Sequence, residues 1–360
     1  MEKVVTLDYL RSVFSGKRVF LTGHTGFKGS WLLQILHHLG ANVKGYSLAP
    51  EKQNDLYNQI KGDDLCYSSV IADICDQQRV QTELVRFDPH FVFHLAAQPL
   101  VRRGYEQPSY TFMVNSQGTA HVLDAMRSLP SPAVGVMITT DKVYDNPERG
   151  LPFAEDDKLG GYDPYSASKA AAEIVIDSYR RSFFNPAEHA RHQKSIAAAR
   201  AGNVIGGGDY SDNRIIPDIV RSISFGETVG LRNPHSIRPW QHVLEPLGAY
   251  LLLAARMVSD PVKYSTAYNL GPNPEDMLTV AELTKIFIDS YGAGSQQNAE
   301  EANAPHEAKL LLLNSNRALE HMGWKSQMDA RTAIQWTAEW YADKQNSAHA
   351  KCLAQIERYF

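Results

Sequence analysis

A tyrosine and a lysine four positions apart are the residues of this sequence with the clearest chemical potential. Tyr165 and Lys169 lie in the run YSASK, at the start of a long predicted helix. Residues at i and i+4 share one helix face, and a lysine cation beside a phenol lowers the tyrosine pKa from about 10. The pair therefore predicts a base that takes a proton from a hydroxyl near neutral pH. An ordinary helix-surface pair is the alternative, and by itself the better one.

A second group of side chains that could act in catalysis follows the predicted strand Val134–Thr139. Thr140, Asp141 and Lys142 place a hydroxyl, a carboxylate and an amine at the end of that strand. Ligands of parallel α/β sheets bind at the carboxyl ends of the strands. An isolated Asp-Lys pair is more often a surface-loop pair, but the strand-end position and the hydroxyls favour a functional site.

The segment RVFLTGHTGFKGSW, Arg18 to Trp31, is typical of a strand that ends in a glycine loop and runs into a helix. Its glycines have GxxGxxG spacing, which allows a tight turn, close approach of backbone to a pyrophosphate, and close helix-strand packing. The helix start aims free N–H groups at the phosphates. A plain strand-to-helix turn is the alternative, and the apolar strand and helix face favour the dinucleotide site. The candidate cofactor residues of this loop are Gly23, His24, Gly26, Phe27, Lys28 and Gly29.

Two further strand ends offer candidate cofactor contacts. Ala96 and Ala97 are small enough to leave room for a ribose and a flat ring, with simple helix packing as an equal alternative. Asp73, followed by Ile74, offers a carboxylate for an adenine amino group, and a helix cap is the alternative there.

The order of elements predicts the fold class. Short apolar strands alternate with helices, which is typical of an α/β protein with a Rossmann-type, doubly wound parallel sheet covered on both faces. The predicted strands are Val19–Leu21, Asn42–Leu48, Cys66–Ala72, Phe91–Ala96, Val134–Thr139 and Ser195–Ala201.

The length of 360 residues exceeds what one core usually supports, about 250–300 residues, so we expect two lobes. Residues 1–202 are predicted to form the dinucleotide-binding domain, with returning segments near 243–258 and 267–272. Residues 203–360 are assigned mainly to a smaller, C-terminal, substrate-binding lobe, in which the polar stretch 294–305 is predicted to be a loop or an insertion.

Composition excludes several classes of protein. A net charge of −4 argues against general nucleic-acid binding, and no apolar run approaches the ~20 residues of a membrane span. The amino terminus lacks a signal-peptide pattern, so we expect a cytoplasmic protein. Three cysteines without CxxC spacing indicate neither a disulfide framework nor a thiolate metal site. His94, His189 and His192 show no metal-ligand spacing with a carboxylate, so no metal is assigned.

The chain resembles the extended branch of the short-chain dehydrogenase/reductase superfamily. The motifs that carry the resemblance occur in the family's order: TGHTGFKG, HLAAQ, Asn115 to Thr119, and YSASK. Within that branch, Thr140-Asp141-Lys142 resembles the Thr-Asp-Glu triplet of the nucleotide-sugar 4,6-dehydratases, with lysine in place of the last glutamate. The stretches GHTGFKGSWL, TTDKVY, DNRIIPD and RPWQHVLEPL are similar to those of the members that act on CDP-glucose, over nearly the full length.

The resemblance implies a three-step cycle and a place in deoxysugar biosynthesis. Tyr165, helped by Thr140 and Lys169, takes the proton of the sugar 4-hydroxyl while the C4 hydride passes to bound NAD. The C5 proton and the 6-hydroxyl then leave, with Lys142 as candidate base and Asp141 as candidate acid. The hydride finally returns to C6, which gives a 4-keto-6-deoxy sugar and restores NAD.

Lys142 departs from the family pattern. A free lysine, with a pKa near 10.4, is protonated at pH 7, so a base role requires desolvation or a nearby cation. The alternative is that Lys142 stays charged and stabilises the enolate. Asp141 faces the mirror requirement, because an acid must be protonated at neutral pH in a partly apolar site.

The cofactor site shows a second departure. The family usually places an acid at the end of the second strand for the adenosine ribose, whereas this chain has Ser47. We therefore expect weaker binding of the adenosine. His24 and Lys28 are expected to compensate through contacts to the pyrophosphate. The alternative is that both side chains are solvated. Because no arginine follows Ser47 to receive a 2′-phosphate, NAD is expected rather than NADP.

Substrate contacts are expected mainly from the second lobe. Asn203 resembles the family's residue near the sugar-nucleotide pyrophosphate, and Arg214, Arg238 and Arg102 are candidates for paired N–H contacts to phosphate. A structural salt bridge is the alternative for each arginine, and Arg238 is favoured because Pro239 and Trp240 suggest a pocket wall.

Three other functions compete with this one. A nucleotide-sugar 4-epimerase needs Tyr165, Lys169 and Thr140 but no acid/base pair, so Asp141-Lys142 argues against it. A non-catalytic NAD-sensing protein has no need of YxxxK, and a structural scaffold leaves the strand-end residues unexplained. The helices predicted at Tyr105–Leu129 and Tyr165–Phe184 match the family's dimeric four-helix bundle, so a homodimer is expected.

Overall fold

The computed structural model describes residues 5–148, 150–299 and 311–360. Its strands are β1 (Arg18–Thr22), β2 (Asn42–Ser47), β3 (Ser68–Ile71), β4 (Phe91–His94), β5 (Ala133–Ile138), β6 (Lys194–Ala201), β7 (Val204–Ile205), β8 (Val229–Leu231), β9 (Ile237–Arg238), β10 (Gln241–His242), β11 (Ala267–Leu270), β12 (Leu278–Thr279) and β13 (Gln296–Asn298). Within the described residues, seven parallel strands form one central sheet in the order β11-β6-β5-β4-β1-β2-β3. The predicted doubly wound α/β fold is confirmed.

Helices connect and cover these strands. They are α1 (Leu7–Phe14), α2 (Phe27–His38), α3 (Leu56–Gln59), α4 (Gly62–Leu65), α5 (Gln77–Phe87), α6 (Val101–Glu106), α7 (Pro108–Phe112), α8 (Gly118–Arg127), α9 (Pro164–Ser182), α10 (His189–His192), α11 (Ile215–Ser224), α12 (Leu244–Ser259), α13 (Pro261–Tyr264), α14 (Val280–Tyr291), α15 (Asn316–Met322), α16 (Ala330–Ala342) and α17 (Ala348–Tyr359). Among the described residues, no helix is both long and apolar enough to cross a membrane.

The strand order reverses between β1 and β4, because β2 and β3 lie on one side of β1 while β4, β5 and β6 lie on the other. Leu21 of β1 pairs with Gly45 on one side and with Phe93 on the other. Such a reversal opens a crevice at the carboxyl ends of the strands. The glycine loop after β1 and the polar turn after β5 therefore meet at the same edge of the sheet.

Each face of the sheet carries its own core. On one face, Phe20, Val92 and Ile196 of the strands pack with apolar residues of α5, α8 and α9. On the other, Val19 and Leu21 belong to a larger core with residues of α2, α12 and α17. Because both faces are covered by helices, the strands read as continuous apolar runs.

The carboxyl-terminal half returns to the sheet more than the sequence suggests. Strand β11 pairs in parallel with β6, at the predicted returning segment. In addition, α17 packs on α2, where Gln34 Nε2 donates to His349 O at 2.7 Å. The division of the chain at residues 202 and 203 stays a prediction.

Two predicted elements differ in detail. The segment Tyr105–Leu129 is not one helix, because α6 ends before Pro108, and a π-helical turn at Met113–Gln117 separates α7 from α8. Proline disfavours helical backbone in the preceding residue, which explains the first break. In the stretch 294–305, Gln296–Asn298 forms strand β13 beside β8, so the loop prediction is wrong there. Residues 300–305 lie outside the described part of the chain.

Candidate active site

The glycine loop after β1 is packed so closely that two of its glycines have no substitute. Gly23 has φ +73°, in the left-handed region, and a Cβ there would lie 2.8 Å from Ala96 N. A Cβ on Gly29 would overlap the carbonyl oxygen of Gly23. These contacts fix the loop against the end of β4 and bring the start of α2 to the crevice.

The start of α2 fits a dinucleotide pyrophosphate. Gly26, at the helix cap, is exposed and offers no side chain, so the N–H groups of the first turn meet no capping group. Those groups and the helix dipole favour an anion at this position. The GxxGxxG loop is therefore compatible with the predicted cofactor, while the individual cofactor contacts stay predictions.

The side chain of His24 was expected either to contribute at the pyrophosphate or to be solvated. Its ring is buried and does neither. Its Nε2 lies 2.9 Å from Ser69 Oγ, and its edge meets the Tyr57 ring, with centroids 5.2 Å apart. A Cβ at Gly45 would overlap the imidazole. Burial lowers the pKa of His24 to about 4, so the ring is neutral and packs against β2. The solvated alternative is wrong, and a charge contribution of this ring to a pyrophosphate has no support here.

Lys28, the second residue of α2, is half-buried, and its charge interacts with those of several catalytic candidates. Burial lowers its pKa to about 8, and the positive charges of Arg214 and Lys169 act in the same direction, whereas the Asp141 carboxylate opposes them. Lys28 is therefore a half-buried cation among catalytic candidates and not a solvated side chain. The predicted role of Lys28 was limited to the pyrophosphate.

On the predicted adenosine side of the crevice, Ser47 and Asp73 form hydrogen bonds with nearby residues of the chain. Ser47 Oγ lies 2.9 Å from Thr25 Oγ1. Asp73 Oδ1 accepts a hydrogen bond from Cys75 N at 2.9 Å, and Asp76 is the residue that caps α5. Ile74 packs toward Gly118. Asp73 thus stabilises a turn, and the roles of Ser47, Asp73 and Ile74 toward a cofactor stay predictions.

A buried hydrogen-bond chain fixes the end of β4 where Ala96 and Ala97 begin. Thr22 Oγ1 accepts from Ala96 N at 3.1 Å and lies 2.8 Å from His94 Nδ1. His94 Nε2 lies 3.1 Å from Thr119 Oγ1, which donates to Asn115 O. Since the Thr119 proton is used on Asn115, His94 must donate from Nε2 and accept at Nδ1. HLAAQ therefore contributes a rigid strand end.

Helix α9 carries Tyr165 and Lys169 on one face, as predicted. Asp163 caps the helix by accepting from Ser166 N at 3.0 Å. Lys169 Nζ donates to Ile138 O, the last residue of β5, at 3.2 Å. Burial lowers the pKa of Lys169 to about 8, and the Glu173 carboxylate opposes that shift.

The predicted pKa of Tyr165 is wrong in direction. Burial raises it to about 12, a side-chain hydrogen bond with Thr140 lowers it in part, and the Asp141 charge raises it. The amine of Lys169 is engaged with the backbone of β5. In this structure the hydrogen bond with Thr140 and the charge of Arg214, and not Lys169, favour the phenolate.

The turn after β5 places the predicted triplet beside Tyr165. Thr140 Oγ1 donates to Asp141 Oδ1 at 2.9 Å and accepts from Lys142 N at 3.4 Å. Asp141 is 3% exposed, and burial raises its pKa against the opposing charges of Lys142, Lys28 and Arg238. This direction agrees with the requirement for a protonated acid. Lys142 is half-buried next to it.

A small cavity with mainly apolar walls lies next to Asp141. Its prolines and leucines lower the polarity around the carboxyl group, which favours the neutral acid. The lining residues are Asp141, Gly202, Pro239, Gly271, Pro272, Pro274, Leu312 and Leu313.

Of the four predicted substrate residues, two act on the catalytic groups. Arg214 is paired with Asp209 at 3.2 Å and its charge lowers the pKa of Tyr165. The charge of Arg238 opposes the rise in the pKa of Asp141. Arg102 and Asn203 are half-buried. The substrate roles of all four residues stay predictions.

Sequence reasoning missed the buried polar residues beneath the site. Glu173 Oε1 accepts a hydrogen bond from Thr139, and its Oε2 pairs with Arg200 Nη2 at 2.8 Å. Arg200 Nη1 donates to the Tyr144 hydroxyl at 2.7 Å. Two signals pointed to this pair: Glu173 lies four residues after Lys169, and Arg200 is a charge within an alanine-rich strand.

Over the described ranges, no group of three or more His, Cys, Asp or Glu side chains is placed to hold a metal ion. The thiols of Cys66, Cys75 and Cys352 are unpaired by disulfides, and burial raises the pKa of each.

The comparisons with known proteins agree with the motifs. A relative from Salmonella typhimurium, a CDP-glucose 4,6-dehydratase, is 43% identical over 331 residues, 92% of each chain. A UDP-glucose 4-epimerase from Mycolicibacterium smegmatis is 26% identical over 91% of this chain and 99% of its own. The crystal structure of a dTDP-glucose 4,6-dehydratase from Streptomyces venezuelae, with NAD and TYD bound, has a TM-score of 0.75 at 23% identity, covering 91% of this chain and 98% of that one.

The family model for GDP-mannose 4,6 dehydratase matches residues 20–337. The resemblance to the extended short-chain dehydrogenase/reductase branch is confirmed, and the chain belongs to the GDP-mannose 4,6 dehydratase family.

Proposed function

We propose that this protein is an NAD-dependent nucleotide-sugar 4,6-dehydratase that converts CDP-glucose to CDP-4-keto-6-deoxyglucose and water. The observation that carries the proposal is the contact between a base and an acid through one hydroxyl. Thr140 hydrogen-bonds both Tyr165 and Asp141 at the crevice where the strand order reverses.

Bound NAD would accept the C4 hydride and return it to C6. The start of α2 would hold its pyrophosphate, and the end of β4 at Ala96 and Ala97 would border its ribose and nicotinamide. Lys169, anchored on Ile138 O beside Tyr165, supplies positive charge near the reacting hydroxyl.

The chain's own groups move the protons. Tyr165 receives the proton of the 4-hydroxyl. Asp141, whose pKa is raised by burial, donates a proton to the departing 6-hydroxyl. Lys142, next along the turn, is the candidate to take the C5 proton or to stabilise the enolate.

The nucleotide and sugar are inferred from the relative with 43% identity, whose name specifies CDP-glucose. Arginines suit a diphosphate because their planar N–H groups form paired hydrogen bonds. The charges of Arg214 and Arg238 act on Tyr165 and Asp141, which supports assigning this role to the two arginines.

The test uses CDP-glucose labelled with deuterium at C4. We expect loss of one water and recovery of the deuterium at C6. A product of unchanged mass would indicate a 4-epimerase, which the epimerase relative makes the second candidate. Bound NAD without turnover of any nucleotide sugar would indicate a sensing protein. Parallel reactions with UDP-, GDP- and dTDP-glucose test the preference for cytidine.

We also propose a homodimer formed through α7, α8 and α9. Phe112 at the end of α7, Met113 in the π-helical turn before α8 and Ile174 on α9 are large apolar residues that are 39%, 45% and 61% exposed. A face of this kind is typical of a protein–protein contact. Sedimentation velocity of the protein should give the mass of two chains, and Ile174→Glu should shift it to one.

A further inference from the structure

A basic pocket lies at the amino ends of the central strands, opposite the candidate active site. Its cations are Arg127, Arg191 and Lys194, and its volume is about 340 Å³. Lys194 begins β6 and pairs with Ala133, which begins β5, whereas the candidate catalytic turn follows the other end of β5. At about 3.3 Å per residue, the two ends of β5 are ~17 Å apart. This amino-end pocket is therefore separate from the crevice for cofactor and substrate.

The amine of Lys194 is a cation in need of a partner. The residue is 7% exposed, and in the described part of the chain its Nζ forms neither an ion pair nor a hydrogen bond. Burial lowers the pKa of Lys194, and the charge of Asp88 opposes that shift only in part. Asp88 is itself paired with Arg18 at 3.1 Å. Since the amine is not among the enclosed polar atoms while Lys194 lines the pocket, it faces the pocket.

The backbone that carries this amine is fixed by His192. Its Nδ1 accepts a hydrogen bond from Lys194 N at 3.1 Å, and its Nε2 lies 2.9 Å from Asn185 O. A carbonyl oxygen only accepts, so the ring carries its proton on Nε2. The ring also meets the edge of Phe184, with centroids 6.2 Å apart. Because both ring nitrogens are engaged, His192 shapes the pocket and leaves its charge to the lysine and the arginines.

The two arginines have N–H donors to spare. The guanidinium of Arg127 lies over the Phe183 ring, 3.8 Å from the centroid, and is paired with Asp124 at 2.9 Å. Arg191 is paired with Glu188. Both pairs join residues three apart at the surface, where ion pairs contribute little. A guanidinium has five N–H donors, so one such contact leaves others available to a ligand.

Helix ends explain the arginines but not the lysine. Arg127 is the last residue of α8, and Arg191 lies in the last turn of α10. Cations at these positions interact favourably with the helix dipole. Lys194, by contrast, belongs to β6, and its amine bonds to no helix carbonyl. A buried cation without a partner destabilises the folded state, so its position indicates a ligand.

The chemistry of the pocket suits a phosphate group. A phosphate offers several acceptor oxygens and more than one negative charge, and guanidinium groups match its geometry with paired hydrogen bonds. The volume of about 340 Å³ exceeds that of a single ion and falls among small-molecule sites of about 300–1,000 Å³. We propose that the amino-end pocket binds phosphate, free or carried by a small molecule, through Lys194 Nζ with Arg127 and Arg191 as further donors. This site goes beyond the proposed function and does not depend on it.

Calorimetric titration of the full chain tests the site, with NAD in excess to occupy the cofactor loop. The probes are inorganic phosphate and glucose 1-phosphate, with acetate as the singly charged control. We expect Lys194→Met to bind both phosphate probes about 10–100-fold more weakly than the wild type, and Arg191→Gln to show a smaller loss. Lys285→Met is the matched control, because Lys285 is an exposed cation paired with Asp289 at 3.1 Å. It should bind as the wild type does.

The outcomes separate the site from other anion sites of the protein. Binding elsewhere does not depend on Lys194, so equal binding by the wild type and Lys194→Met overturns the proposal. A wild type that binds neither phosphate probe at millimolar concentration also overturns it, as does Lys194-dependent binding of acetate that is as tight as that of phosphate. Tighter binding of glucose 1-phosphate than of inorganic phosphate assigns the site to a phosphate ester, and the reverse order assigns it to the free ion.

Urea denaturation distinguishes a ligand site from a structural role. Without phosphate, Lys194→Met should be at least as stable as the wild type, because the amine makes no contact that the methionine loses. Added phosphate should raise the denaturation midpoint of the wild type and not that of the variant, since a ligand that binds only the folded state stabilises it. A large loss of stability in Lys194→Met without phosphate would show that the amine serves the fold, which overturns the proposal.

Discussion

Glu173 and Arg200 form a buried ion pair beneath the catalytic turn, with Arg200 Nη2 2.8 Å from Glu173 Oε2 and side chains that are 3% and 5% exposed. The pair contacts both ends of that turn. Glu173 accepts from Thr139, just before it, and Arg200 donates to Tyr144, just after it. The position of Asp141 and Lys142 against helix α9 is thus set by one pair of charges.

Removing one member of this pair should be costly. We expect Arg200→Met to lower the free energy of unfolding by about 3–5 kcal/mol, because the Glu173 charge is left buried without its partner. Lys285→Met is the matched control, since Lys285 and Asp289 form an exposed i,i+4 pair at 3.1 Å worth about 0.3–0.5 kcal/mol. Urea denaturation of both variants measures the difference. Similar losses would contradict the assignment.

Tyr144 tests the positioning role without touching a charge. Its hydroxyl accepts from Arg200 and donates to Asn269 Oδ1 at 2.6 Å. We expect Tyr144→Phe to loosen the turn and lower kcat by about 10–100-fold with little change in KM. Tyr264→Phe removes a hydroxyl bonded to His321 O, outside this network, and should leave kcat unchanged. Parallel kinetics with CDP-glucose compare the two, and equal kcat values would show that the turn does not depend on Tyr144.

The positions of the catalytic groups were largely predictable from the sequence. Strand periodicity and the βαβ order placed Gly23, Thr140 and Tyr165 at one edge of the sheet. Local motifs encode such positions because a strand end and a helix start are both defined by neighbouring residues. The same reasoning failed for the pKa of Tyr165, since burial and the position of Lys169 depend on tertiary packing.

Contacts between residues far apart in the sequence could not be predicted either. The ring of His24 packs under Gly45, and its neighbour Ser69 lies 45 residues along the chain. Arg200 was visible as a charge in an apolar strand, but not its bond to Tyr144, 56 residues away. Contacts across strands that are not adjacent in sequence follow from the sheet order, which a single sequence does not specify.

Lys169 should set the alkaline limit of activity. Its pKa is lowered to about 8 by burial, so the amine loses its charge as pH rises through that value. If the charge assists oxidation, kcat/KM should fall above about pH 8 in the wild type. Lys169→Arg cannot lose its charge, so its activity should be lower throughout but without that decline. A decline at the same pH in the arginine variant would assign the limit to another group.

Lys142 separates the two steps of the cycle. If it takes the C5 proton, Lys142→Met should still oxidise the sugar and accumulate NADH, while exchange of the C5 proton with solvent is lost. Wild-type protein in heavy water should place deuterium at C5 of the product. Product or recovered sugar from the methionine variant, analysed by NMR, shows the difference. Retained exchange would leave Lys142 as a stabiliser of the enolate.

The raised pKa of Glu245 should make the free energy of unfolding depend on pH. This carboxyl, fully buried in α12, accepts from Gln327 N and Met328 N at 2.9 and 2.7 Å and from the Tyr359 hydroxyl at 3.0 Å. Burial nevertheless raises its pKa to about 7 from an ordinary 4.5. The folded protein therefore keeps a proton that the unfolded chain releases between these values. Rising pH then favours unfolding, by at most about 1.4 kcal/mol per pH unit from this group.

Glu245→Gln isolates that contribution. The amide keeps an acceptor for the two backbone N–H groups but does not titrate. The free energy of unfolding of the wild type should fall relative to the variant as pH rises from about 4.5 to about 7, and the difference should become constant above that range. Urea denaturation across this range measures it. A difference that stays constant throughout, or that changes in the opposite direction, would mean that the hydrogen bonds to Glu245 outweigh its burial.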